Sequence, residues 1–166
     1  MADPGPAAAL EYVRRLHAVV DELVAPLTAR HGPRLACRAG CAGCCVDELT
    51  VFEVEAARIR AEFPDVLASA PGPAGRCAFL DEASRCRVYA ARPYVCRTQG
   101  LPLRWAEAGV ERRDICPENE AVGPVEALDA AACWTLGPFE QRLAAVQSAR
   151  DGGVGRRVAL RALFGG

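Results

Sequence analysis

Between Ala7 and Ala25 apolar residues recur at steps of three and four, placing Leu10, Val13, Leu16, Val20 and Leu23 on one helical face. Pro26 has no amide hydrogen and crowds the preceding turn, so it is expected to end or kink that helix. A loop through His31, Gly32 and Pro33 follows. Thr50 with Glu53 three residues on has the form of a capping box. Phe52, Ala56, Ile59 and Phe63 then continue at steps of four, three and four until Pro64 closes the helix. Residues 68–75 are rich in proline and glycine, a loop too short to separate domains. Cys77 to Leu80 reads as a short strand or turn, and Arg87 to Ala91 as a brief helix ended by Pro93. Residues 101–115 alternate on both sides of a glycine turn, the pattern of a β-hairpin with Gly109 near its tip. Pro138 suits a first helical turn, and a helix to Arg150 would carry Phe139, Leu143 and Val146 on one face. A last helix is expected over 154–164. The fold class expected is mostly α: a small single domain with an N-terminal helix at 7–25, irregular cysteine-rich loops through a core at 37–116, one β-hairpin, and C-terminal helices within 138–164.

Composition narrows the field by exclusion. The chain has 166 residues, 51% apolar and 25% charged, as in ordinary globular proteins. No apolar run approaches the ~20 residues of a membrane helix, and the amino terminus lacks a basic start and an apolar signal core, so a cytoplasmic location without membrane partners is expected. A net charge of −1 supplies no field to attract nucleic acid. Every basic side chain apart from histidine is arginine, so no lysine is available as a nucleophile or Schiff base. There is no Ser/His/Asp set, phosphate-cradling glycine loop or nucleotide fingerprint.

The nine cysteines are the outlier: Cys37, Cys41, Cys44, Cys45, Cys77, Cys86, Cys96, Cys116 and Cys133. An odd number without an export signal argues against a disulfide scaffold and for metal binding. Four of them fall within residues 37–45, Cys-Arg-Ala-Gly-Cys-Ala-Gly-Cys-Cys. Cys41 and Cys44 form a Cys-x-x-Cys pair able to grip one metal, and Cys37 would share a face with Cys41 if that stretch were helical. Cys45, adjacent to Cys44, points elsewhere in extended backbone, so it reaches a second site, caps the first, or stays free. The remaining ligands are expected from Cys77, Cys86 and Cys96, with Cys116 a further candidate and Cys133 equally suited to plain core. His17 and His31 carry no ligand pattern. Thiolates around a metal leave excess negative charge that amides and guanidinium groups must offset. Arg38, Arg87 and Arg97 each adjoin a cysteine and Arg92 flanks Cys96 four residues before it, Arg97 being the best placed.

These residues resemble a known family. The thiol run, a Cys-x-Phe-Leu element at Cys77 to Leu80, and the series Cys86, Tyr89, Arg92, Pro93, Cys96 and Arg97 look like the YkgJ-type cysteine-cluster family, the zinc- or iron-chelating CxxCxxCC domain. The likeness runs from Cys37 to Arg97, and more loosely to Cys116, although Cys37 lies four rather than three residues before Cys41. It implies metal bound by Cys37, Cys41, Cys44, Cys45, Cys77, Cys86, Cys96 and Cys116, with Arg97, Arg92 and Tyr89 around the centre. A flagellin lysine methylase resembles the same domain and points to iron–sulfur, without lending its activity to this chain. Adjacent thiols and a surplus of ligands favour an iron–sulfur cluster of the 4Fe–4S type, with zinc as the alternative. Cys37, Cys41 and Cys44 also match the hook of radical S-adenosylmethionine enzymes, but the strand–helix repeats of that barrel are missing. Three functions remain open: a metal-binding protein in a redox, sensing or structural role with a protein or redox partner, a cluster-dependent methyl-transfer or radical enzyme, or a metal-trafficking protein.

Overall fold

The computed structural model describes residues 3–120 and 122–165. Helix α1 (Gly5–Arg30) is longer than expected at both ends and does not end at Pro26. An internal proline costs about 3 kcal/mol. Packing offsets it, since Val24 and Leu27 lie on either side of Pro26 against the core. The buried stripe is Ala9, Val13, Leu16, His17 and Val20, which leaves Leu23 49% exposed. The inward face is thus rotated from the one drawn by apolar residues alone, because a histidine occupies it.

Strand β1 (Thr50–Phe52) leads into α2 (Glu53–Glu62), and α3 (Pro64–Ala68) follows at once. The expected capping box is not formed: Phe52 is the helix's N-cap residue and Thr50 belongs to β1. Partners distant in sequence satisfy the orphan amides instead. Val54 N–H donates to Gln147 Oε1 at 2.9 Å and Glu53 N–H to the Arg156 carbonyl at 3.1 Å. Glu53 pairs with Arg60. Pro64 ends α2 and also starts α3, a position where its missing donor is harmless.

After a 3₁₀ turn at Tyr89–Ala91 come α4 (Tyr94–Thr98) and strands β2 (Leu103–Glu107) and β3 (Val110–Asp114). The hairpin forms as expected, Glu107 opposite Val110, with Ala108 and Gly109 at φ of 49° and 79° in the two-residue turn that matches strand twist. Helix α5 (Pro117–Glu120) and two 3₁₀ turns lead to β4 (Trp134–Thr135), which joins β2 in parallel. Helix α6 (Pro138–Asp151) buries Leu143 and Val146 as predicted. The helix expected over 154–164 is instead strand β5 (Arg157–Ala159) and a 3₁₀ turn, Leu160–Leu163. Here β5 pairs antiparallel with β1, Val158 opposite Val51, and a ladder to a distant strand outweighs local helical periodicity. Helix outweighs strand, 48% to 12%, but the strands build two small sheets where one hairpin was expected.

Two apolar clusters meet at α2. Val54 joins Val13, Leu16, Tyr94, Trp134 and Leu143, whereas Ala56 and Ile59 join Phe79, Val88, Leu160 and Leu163. Cys77 and Cys86 pack against the second cluster, so this core sets the thiol-bearing loops. Between α1 and α2 lies a buried polar junction. Glu55 Oε1 accepts from His17 Nε2 at 3.1 Å and from Tyr94 N–H at 2.8 Å, while Arg58 donates to His17 Nδ1 at 2.9 Å. These partners hold the imidazole neutral with its proton on Nε2, and burial depresses its pKa.

Candidate metal centre

The nonapeptide 37–45 is not helical. It turns twice, closed by Cys41 N–H to the Arg38 carbonyl at 2.9 Å and Cys45 N–H to the Ala42 carbonyl at 3.0 Å. Turns leave side chains of neighbouring residues free to point to one place, so Cys44 and Cys45 touch: the Cys45 thiol donates to the Cys44 sulfur. The Cys45 carbonyl accepts from Cys77 N–H at 2.9 Å, which docks the next thiol-bearing segment directly on the first. That segment doubles back through a bridge between Leu80 and Cys86, with Arg87 N–H bonded to the Phe79 carbonyl at 2.9 Å. Helix α4 then supplies Cys96.

Five thiols thereby come within electrostatic reach of one another. Burial pushes the Cys96 thiol up to about 12, and repulsion from Cys77, Cys86 and Cys44 adds to it. Cys77 and Cys86 are also raised by burial, and the backbone amides of Phe79 and Val88 partly offset this by favouring the thiolates. Within the adjacent pair, the hydrogen bond from Cys45 lowers Cys44 and leaves Cys45 the protonated partner. Cys77 and Cys96 also disfavour a Cys45 thiolate. Without a cation, then, Cys45, Cys77, Cys86 and Cys96 hold their protons while Cys44 gives its proton up more readily; a cation in their midst would offset the burial and repulsion that keep the thiols protonated.

The other thiols are placed differently. Cys37 Sγ accepts from Asn119 Nδ2 at 3.6 Å and lies against Gly100, where a Cβ would stand only 2.7 Å away. Asn119, fully buried, also donates to the Gly100 carbonyl at 2.7 Å and accepts from Ala36 N–H at 2.7 Å. Its own amide bonds to the Cys116 carbonyl at 2.8 Å, so Asn119 joins the Cys37 and Cys116 segments. Cys41 ends the first turn and is half-buried. Cys133 is buried beside Leu27 and Trp134. His31 Nε2 faces the Ala132 carbonyl at 2.7 Å.

Among the described residues no three His, Cys, Asp or Glu side chains converge tightly enough to ligate one ion. Sulfur–metal distances of about 2.3 Å require the gathered thiols to turn inward. The donor set suits a soft thiophilic metal: sulfur only, partly out of water, with backbone amides on two sulfurs and arginines nearby. The arginines are Arg87 and Arg161 near Cys77, and Arg87 and Arg92 near Cys86.

The residues singled out around the centre are engaged elsewhere as well. Arg97 is buried and donates to Asp21 on α1 and to the Ala90 carbonyl at 2.9 Å. A buried guanidinium needs a carboxylate, and α1 provides it. Arg92 lies 4.0 Å over the exposed Tyr89 ring and 3.5 Å from Asp21. Arg38 donates to the Ala36 carbonyl. Asn119 and Arg161 carried no signal in the sequence, since neither lies beside a cysteine or within a recognisable motif.

The chain matches the model of the family described as CxxCxxCC, "Putative zinc- or iron-chelating domain", over residues 36–117. No curated protein and no solved structure matches it. The matched span takes in every cysteine except Cys133 and leaves out α1, α6 and β5. Residues 36–117 are therefore similar to the CxxCxxCC domain, whose description is that of a zinc- or iron-chelating module.

Proposed function

We propose that this protein holds an iron–sulfur cluster of the 4Fe–4S type in a redox, sensing or structural role, with ligands drawn from Cys44, Cys45, Cys77, Cys86 and Cys96. The observation that carries this reading is the docking of the Cys77 segment on the Cys44–Cys45 turn, Cys77 N–H to the Cys45 carbonyl at 2.9 Å, which leaves five thiols from three stretches of chain within electrostatic reach of one another. A structural zinc ion is satisfied by four ligands in a tetrahedron. A 4Fe–4S cluster also takes four cysteines but spreads them over four iron atoms, which suits thiols that do not converge on one point. Such a cluster supplies one-electron transfer when bound. The chain's own part is to present sulfur, to favour the thiolates of Cys77 and Cys86 through the Phe79 and Val88 amides, and to restrict water through the second apolar cluster.

Purification without oxygen, followed by a visible spectrum and assays of iron, acid-labile sulfide and zinc, tests the reading. A brown protein with iron matching sulfide is expected. Colourless protein with stoichiometric zinc would replace the cluster by a structural ion, and folded protein without metal would end the proposal.

A further inference from the structure

The family match stops at residue 117, yet the loop that presents Cys77 is held by a residue well beyond it. Arg161 sits in the 3₁₀ turn after β5. Its Nε donates to Asp47 Oδ1 at 2.7 Å, and its terminal nitrogens donate to the carbonyls of Gly72 at 2.9 Å and of Pro73 and Arg76 at 2.8 Å. Asp47 lies just after Cys45, and Gly72 to Arg76 lead directly into Cys77. One guanidinium therefore closes on both thiol-bearing stretches.

Two backbone amides reinforce the closure. Cys77 N–H bonds to the Cys45 carbonyl at 2.9 Å and Gly75 N–H to Asp47 Oδ2 at 2.8 Å. Four acceptors in different directions suit the planar five-donor fork of arginine, and a lysine ammonium cannot reach them together. The turn carrying Arg161 is itself fixed, because Leu160 and Leu163 are buried and Leu160 N–H bonds to the Leu49 carbonyl at 2.9 Å. Arg157, on the same segment, does none of this: it lies over Phe52 and donates to Thr50.

We propose that Arg161 is a positioning residue of the metal centre, acting through Asp47 and the carbonyls of residues 72–76 to set Cys77 against the Cys44–Cys45 turn. The C-terminal segment outside the family match is then part of the centre. The proposal rests on the metal-binding reading above, and its test separates the two.

Cobalt(II) is titrated into the full chain and its Arg161→Gln, Arg161→Lys and Arg157→Gln variants, followed by sulfur-to-cobalt absorption and chelator competition. Alkylation of Cys77 is timed in the metal-free proteins, with Cys133 as internal reference. Arg161→Gln is expected to weaken affinity 10–100-fold, the usual effect of removing a group that orients a ligand, and to speed Cys77 alkylation several-fold. Arg161→Lys should not restore either, and Arg157→Gln should match the unmodified chain. Wild-type affinity in Arg161→Gln, or full recovery in Arg161→Lys, would overturn the assignment. Should Arg161→Gln fail to fold, Asp47→Asn carries the same expectations. If no chain binds cobalt, the metal reading falls, and Cys77 alkylation alone decides on Arg161: unchanged rates overturn it.

Discussion

Gly100→Ala perturbs two things at once, and the structure separates them. Gly100 adopts φ of +94°, which an L side chain adopts only under strain, and a Cβ there would approach Cys37 Sγ to 2.7 Å. The backbone part is worth about 1–2 kcal/mol. The contact forces Cys37 Sγ aside and disturbs its hydrogen bond from Asn119 Nδ2, which lies 3.5 Å from the same Cβ position. Losing a bond of that kind adds about 0.5–1.5 kcal/mol. Gly100→Ala is thus expected to cost about 1.5–3.5 kcal/mol in urea unfolding under reducing conditions. In a Cys37→Ala background the obstructing sulfur is gone, and the same change should cost only the backbone part, about 1–2 kcal/mol. A double-mutant cycle reads the difference directly. Equal costs in the two backgrounds would refute the contact between position 100 and Cys37, and a cost near zero in the second would refute the backbone argument.

The buried His17 makes stability depend on pH. Burial lowers its pKa from the ordinary 6.5, so the unfolded chain takes up a proton that the folded chain refuses. Its contribution is complete above about pH 6.5 and is lost as pH falls from there toward the folded value; thermal unfolding at pH 7.5 and pH 5 should show the drop, and a drop of equal size in His17→Gln would exclude His17 as its source. Cys44→Ser and Cys96→Ser should lose bound metal while Cys133→Ser keeps it, as read by metal analysis; full occupancy in Cys44→Ser would remove that residue from the ligand set. Pro26→Ala should raise stability in urea unfolding by up to about 3 kcal/mol, because it returns an amide donor to a helix already continuous there. A lowered midpoint would show that the proline ring is needed for packing.

Much of the helical frame was readable from spacing. The repeats around Val13 and Val20, Ala56 and Ile59, and Leu143 and Val146 mark real helices with those residues buried, and Ala108-Gly109 sits at the hairpin tip. These features are local: one turn of helix or one hairpin fixes which neighbours share a face. The thiols were equally visible, since cysteines set this densely in sequence point to a shared metal, and the family match covers the same stretch.

Contacts between distant residues decided the rest. Thr50 looked like a helix cap and became a strand residue because β5 lay beside it, and β5 exists only because β1 pairs with it. Neither partner encodes that pairing alone. Likewise no spacing rule separates the Cys44, Cys45, Cys77, Cys86 and Cys96 group from Cys37 at Asn119, or places Arg161 over both thiol-bearing loops. Which sulfurs become neighbours depends on how the second apolar cluster packs the loops together. Burial and mutual repulsion then set the thiols' protonation, and such long-range terms arise only once the chain has closed on itself.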